Sequence, residues 1–330
     1  MRREDAGLKF GFAVPQGWRW LDEGQGNTAV KQYQFSRKVV QLAEALGYNS
    51  VYAYDHFFSS LKRNHKKNFF ECYTLLSAIA ATTKTLRIGQ IVTCNSFRNP
   101  SLLAKMLSTL DVISNGRIEL GLGAGWHKEE YSSYGYDYPT DRMRIKQLDE
   151  GLSIIRAMWA KRNATYSGQY YSIKNAVCYP KPVQRPHPTI MVGGSGEKYL
   201  LRVVAKHADR YNMPYGSPLQ LQRKISILKE HCTIIGRDYN EIEKSVILRC
   251  LIRETEDELH RNIRKWKRKD ETAEHFKQRI DNNVVLGSPE HIVSELKKYI
   301  DLGVTHFILH FVGFNLQCLN LFNSMVIKKI

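Results

Sequence analysis

The sequence predicts an α/β protein, a (β/α)8 TIM barrel with insertions in the βα loops. Three observations predict it. Short apolar segments alternate with amphipathic helical segments along the whole 330-residue chain. Eight such units of about 40 residues account for its length. No G-x-G-x-x-G follows the first strand, which runs into Pro15-Gln16-Gly17-Trp18, so the rival doubly wound sheet lacks its usual fingerprint. One domain over 1–330 is expected, with an insertion at about 163–188.

The elements follow in order. KFGFAVP (9–15) reads as the first strand, and 32–46 as a helix through Val39, Leu42 and Leu46 that stops at Gly47. SVYAYDHF (50–57) is strand two, followed by a helix over 70–83. RIGQIVTCN (87–95) is strand three. Asn99-Pro100 supplies a cap and an N1 proline for a helix through Leu103, Leu107 and Leu110. Ser114-Asn115-Gly116 turns the chain into strand four, RIELGLGAG. Ile145, Leu148, Leu152, Ile155 and Trp159 then mark the clearest helix. The insertion holds a hairpin around Ser167-Gly168 and four prolines. TIMVGG is strand five, with a helix at 197–208. DRYNMP is strand six, with a helix at about 218–235. KSVILRCLI is strand seven. A basic helical region follows, then a helix opened by Ser288-Pro289. THFILHF (305–311) is strand eight, before a last helix. Its His306, Ile308 and His310 share one face, and Phe307, Leu309 and Phe311 take the other.

Composition removes several functions. Apolar content of 43% supports a sizeable core, and no apolar run is long enough to span a membrane. The charged start lacks an apolar h-region, so a cytoplasmic protein is expected. Six cysteines form no C-x-x-C pair, which argues against a zinc ribbon, a redox dithiol or a disulfide scaffold. No H-x-H or H-E-x-x-H occurs, and no metal site is expected. The net charge is +17, densest in RNIRKWKRKDETAEHFKQR (261–279). No nucleic-acid-binding motif accompanies it, so a solvated helix face is expected rather than nucleic acid. An acidic ligand explains a basic rim equally well.

Barrel chemistry sits after the C-terminal ends of the strands. That rule selects Asp55-His56, Thr93 to Asn95, Gly123 to Tyr131, Gly193 to Gly196, Asn212 and His310. A histidine there can move a proton near neutral pH; the bland alternative is a hydrogen-bonded surface pair. In ELGLGAGWHKEEY (119–131), glycines at alternate positions strip one strand face bare and open room for something flat. His127 and Tyr131 stand four apart, on one face of any helical turn starting there. MVGGSGEK (191–198) is strand, glycine loop and helix start, which suits an anion or merely a tight turn.

These segments together resemble the bacterial luciferase-like superfamily, and within it the branch of oxidoreductases that use the deazaflavin coenzyme F420. The resemblance rests on YDHF, on RIGQIVTCNSFRNPSLLAKMLSTLDVISNGRIELGLGAGWHKEEYSSYG and on PKPVQRPHPTIMVGGSGEKYLLRVVAKHAD. Relatives include F420-dependent glucose-6-phosphate dehydrogenases and methylene-tetrahydromethanopterin reductases. The resemblance implies hydride transfer at the deazaflavin C5 to or from a small-molecule substrate, with FMN-dependent monooxygenation as the alternative. It implies a homodimer. It puts Asp55 and His56 beside the ring, with His56 as acid or base. Ile91 to Asn95 would back the ring, with a cis peptide at Ile91–Val92. Gly123, Gly125, Trp126, His127 and Tyr131 would flank it. Gly193, Gly194 and Ser195 would hold the phosphate. Trp126 stands where the sugar-phosphate dehydrogenases carry a glutamate acid, and Glu129, Glu130 or His127 could substitute. The basic loop LKRNHKKN (61–68) is expected to attract the acidic tail through Lys62, Lys66 and Lys67.

Overall fold

The computed structural model describes residues 7–17, 28–58, 68–266, 271–272, 274–276 and 284–330. Eight parallel strands close a barrel: β1 (Lys9–Ala13), β2 (Ser50–Ala53), β3 (Arg87–Gln90), β5 (Ile118–Gly123), β8 (Thr189–Gly193), β9 (Arg210–Pro214), β10 (Glu243–Ile252) and β12 (Val304–Phe311). Pairing of β12 with β1 shuts the ring, with Phe10 opposite Phe307. Alternation along these strands separates two environments. Phe10, Phe12, Phe307, Leu309 and Phe311 face outward into the core under the helices, with Phe10 and Phe307 stacked at 5.5 Å. Ala13, Tyr52, Ile91, Met191, Ile247 and Ile308 pack together separately from that core.

Asn99 and Ser288, the two expected caps, accept from the Ser101 amide at the start of α3 (Pro100–Ile113) and from the His291 amide at the start of the helix Pro289–Ile300, and Ser217, which sequence reading did not single out, forms a capping box on α7 (Pro218–Ile234). The other helices packed against the barrel are α1 (Ala29–Ala45), α2 (Cys72–Thr82), α5 (Asp141–Ala160), α6 (Leu200–His207), α8 (Glu256–Trp266), α9 (Pro289–Ile300) and α10 (Leu316–Met325). The insertion carries an antiparallel hairpin, β6 (Asn163–Ser167) and β7 (Ser172–Val177).

Three features depart from the expected elements. Strand three is two pieces: β3 stops at Gln90, and β4 (Thr93–Cys94) pairs with β5 beyond a break at the cis peptide Ile91–Val92. Strand two ends at Ala53, so Tyr54, Asp55 and His56 lie on the loop beyond it. An unanticipated strand, β11 (Val284–Gly287), extends the sheet beside β10; four apolar residues are too few for periodicity to declare a strand. Most of the basic loop 61–68 and much of the basic run 261–279 lie outside the described residues.

Candidate active site

The mouth of the barrel holds a cavity of about 670 Å3. Of the expected site residues, Asp55, His56, Ile91, Val92, Gly123, Gly125, Trp126, His127, Tyr131, Gly193, Gly194 and Ser195 all line it, as do Asn212 and His310. Asn95 does not. The chain turns into a short 3-10 helix at Asn95, which buries that residue and sets its amide against the Tyr171 hydroxyl at 3.2 Å.

His56 is held by a carboxylate the sequence offered only as one of three substitutes. Glu130 is buried at the start of a short helix, α4 (Lys128–Ser133), and its Oε2 lies 2.7 Å from His56 Nδ1. A carboxylate only accepts, so Nδ1 carries the hydrogen. The other Glu130 oxygen accepts from the Phe57 amide at 2.8 Å. Burial raises the Glu130 pKa, but the His56 hydrogen bond and charge, the Phe57 amide and His127 outweigh it and hold the pKa below the usual value. His127 Nδ1 approaches the same Oε2 at 3.2 Å without hydrogen-bond geometry, leaving that buried nitrogen unsatisfied. His56, His127 and Glu130 present ligand atoms within 4.8 Å of one another and could also hold a metal ion. That cluster was illegible as a motif because its members come from two loops. Trp126, 62% exposed, stands edge-on to His56 at 5.9 Å on the rim.

Asp55 is committed elsewhere. Arg98 donates to both its oxygens, at 2.7 and 3.0 Å, and the Cys94 amide donates at 2.9 Å. Arg98 also donates to Glu71 and lies 4.5 Å over the Tyr73 ring. Asp55 therefore ties the second strand's loop to β4 and fixes the bulge between them. Sequence reasoning did not single out Arg98, which reaches Asp55 across 43 residues.

The bulge explains the glycines. A Cβ on Gly123 would sit 2.7 Å from Val92 Cγ2, and one on Gly193 2.7 Å from Val92 Cγ1. A Cβ on Gly121 would strike the Gln90 carbonyl. The bare strand face thus admits the protein's own bulge first, and the flat floor that results is made of Val92 between two glycines. Gly125 has a φ of +77°, and a side chain there would strike the Tyr131 hydroxyl. Tyr131 is buried, against Cys94 Sγ at 3.0 Å. Burial and then Cys94 raise its pKa far above the ordinary value. Arg144 locks this turn, donating to the Gly125 and Pro139 carbonyls and to Asp141.

At the glycine loop, the Gly194 amide is spent on the Asn212 carbonyl at 3.2 Å, so it is not available to a phosphate as expected. Ser195 and Gly196 are exposed at the cavity, and among the described residues neither amide donates a hydrogen bond. Deeper in the mouth, Tyr54 lies 2.7 Å from His310 Nδ1 and 2.9 Å from the Tyr215 hydroxyl. Burial and Arg249 push the His310 pKa down to about 3, so it is neutral at pH 7.

Known proteins align with this chain over most of its length. It is 26% identical over 315 residues to an F420-dependent glucose-6-phosphate dehydrogenase of Amycolatopsis mediterranei, covering 87% of this chain and 92% of that one. In structure it is similar to a coenzyme F420-dependent tetrahydromethanopterin reductase of Methanopyrus kandleri, with a TM-score of 0.78, 17% identity and coverage of 98% and 99%. An EDTA monooxygenase of Chelativorans superposes with a TM-score of 0.82 at 14% identity, covering 98% and 93%. The model of the luciferase-like monooxygenase family matches residues 10–306, and the chain belongs to that family.

Proposed function

We propose that the chain is an F420-dependent oxidoreductase that moves a hydride between the deazaflavin C5 and a small organic substrate. The observation that carries this reading is the His56–Glu130 pair set over a floor of Val92, Gly123 and Gly193. The relatives that carry F420 in their names supply the cofactor.

The residues present fit such a group. Ile91, Val92 and Ile247 give an apolar wall for a flat tricycle, and the amides of Ser195 and Gly196 remain for a phosphate. Gly193 and Gly194 shape that turn. Gly125, Trp126 and His127 flank the ring, while Tyr131 and Asp55 hold the flanking loops. When bound, the deazaflavin supplies the hydride acceptor or donor. The protein supplies the proton and the orientation. Glu130 fixes the His56 tautomer and leaves Nε2 to take the substrate's hydroxyl proton, or to return it in the reverse direction. Glu130 also stabilises the imidazolium formed in the first case. Trp126 has no proton to give at neutral pH, so glucose 6-phosphate is not the substrate we assign. The six cysteines are buried and form no disulfide among the described residues, which supports a reducing cytoplasm. Leu102, Val112 and Ile113 expose apolar side chains along α3 and support a homodimer.

The family's description favours a second reading, an FMN-dependent monooxygenase with reduced flavin and oxygen. Titrating the apoprotein with F420 and with FMN, followed by fluorescence, separates them. Tighter binding of F420 is expected. A preference for FMN would move the assignment to the monooxygenase, and binding of neither would overturn both.

A further inference from the structure

We propose that a basic groove on the outside of the barrel receives the acidic tail of the cofactor. This rests on the F420 reading of the mouth. F420 carries its glutamates beyond the phosphate, so their site must be positive and must begin where the phosphate loop ends. The sequence alone pointed to loop 61–68, most of which lies outside the described residues. The groove is made of described ones.

It encloses about 490 Å3 against α5, α6 and α7. Arg142 and Lys146 stand four apart on α5, and Arg202 and Lys206 four apart on α6, so each pair shares a helix face. One carboxylate, Asp149, lies among them, and it is occupied by Lys206 at 2.8 Å and His207 at 2.6 Å. Arg142, Lys146 and Arg202 are exposed and form no ion pair among the described residues. Like charges spaced this way repel, and among the described residues the one carboxylate in the groove is already taken by Lys206 and His207. A bound polyanion offsets the repulsion.

The groove also adjoins the mouth. Ile145 lines both cavities. Leu200 lines the mouth, and its neighbour Tyr199 lines the groove. The Tyr199 ring has Lys198 at 5.4 Å and Arg142 at 5.8 Å, so cations flank the passage from the Ser195–Gly196 turn. A chain leaving the phosphate site by this route meets Arg142 first, then Lys146 and Arg202.

The test is a fluorescence titration of the full chain with two forms of F420, one bearing no glutamate and one bearing a long glutamate tail. The wild-type chain should bind the long-tailed form more tightly, and added salt should erase the difference. The triple variant R142E/K146E/R202E should lose about tenfold in affinity for the long-tailed form at low salt, and keep its affinity for the tail-less form. That retained binding also shows that the variant folds. R142Q/K146Q/R202Q should fall between. Equal effects on both forms, or none on either, would overturn the groove while leaving the F420 reading intact. A wild-type chain that binds neither form would overturn both.

Discussion

The floor of the barrel and its mouth are both lined with charged side chains, yet they are organised in opposite ways. At the floor, Arg210 bridges Glu119 at 2.7 Å and Glu243 at 2.5 Å, Arg87 adds a second cation to Glu119, and Lys9 one to Glu243. Tyr52 donates to Glu119, and Ser50 meets His306 at 2.8 Å. Burial raises the Glu119 pKa, but Arg210, Arg87 and His306 hold it well below the ordinary value. At the mouth one carboxylate, Glu130, serves His56, the Phe57 amide and His127, and the Ser195 and Gly196 amides donate no hydrogen bond among the described residues. A closed network specifies one arrangement of the strands. An open one has capacity left for a ligand.

The contrast can be broken from either end. Arg210→Met leaves Glu119 and Glu243 buried with too little countercharge and should cost about 3–5 kcal/mol of stability, read by urea denaturation. A loss under 1 kcal/mol would mean the floor network is no more than a solvated surface pair. At the mouth, His56→Gln should leave folding intact and lower kcat by roughly 10²–10⁴-fold, with cofactor affinity little changed. Glu130→Gln should cost less, on the order of tenfold. An unchanged kcat would separate Glu130 from the proton transfer.

Protonation sharpens the same comparison. His306 at the floor and His310 near the mouth are both held to about 3, by burial first and then by Arg210 and Arg249 respectively. In the unfolded chain each takes a proton near pH 6.5. Their neutral, folded forms therefore cost nothing above that pH. As pH falls from about 6.5 toward 3 the unfolded chain binds protons the folded one cannot, and each histidine removes about 1.4 kcal/mol per pH unit. His310→Gln should flatten the pH dependence of denaturation between pH 7 and 5; parallel curves for variant and wild type would show that His310 takes up its proton at the same pH in the folded and the unfolded chain. Gly123→Ala tests the bare strand face. The added methyl displaces Val92 and should cost about 1–3 kcal/mol, with weaker cofactor binding. Full retention of affinity would mean the Val92 floor does not touch the ring.

What the sequence determined by itself is the periodic part of the molecule. Alternation in THFILHF sent phenylalanines outward and histidines inward, because side chains on a strand must alternate. Asn99-Pro100 and Ser288-Pro289 started helices because their caps satisfy local amides. The order of strands then placed Asp55, His56, Gly123 and Gly193 at one mouth. Tertiary structure decided everything that joins residues far apart in the chain. Only the fold shows that Asp55 belongs to Arg98, that His56 belongs to Glu130 across 74 residues, and that the glycines of β5 and β8 make room for Val92. It also turned Asn95 away from the cavity and spent the Gly194 amide on Asn212. Periodicity and capping act over a few residues and leave a mark in sequence. A hydrogen bond or a close packing contact between distant segments depends on where the closed barrel brings them.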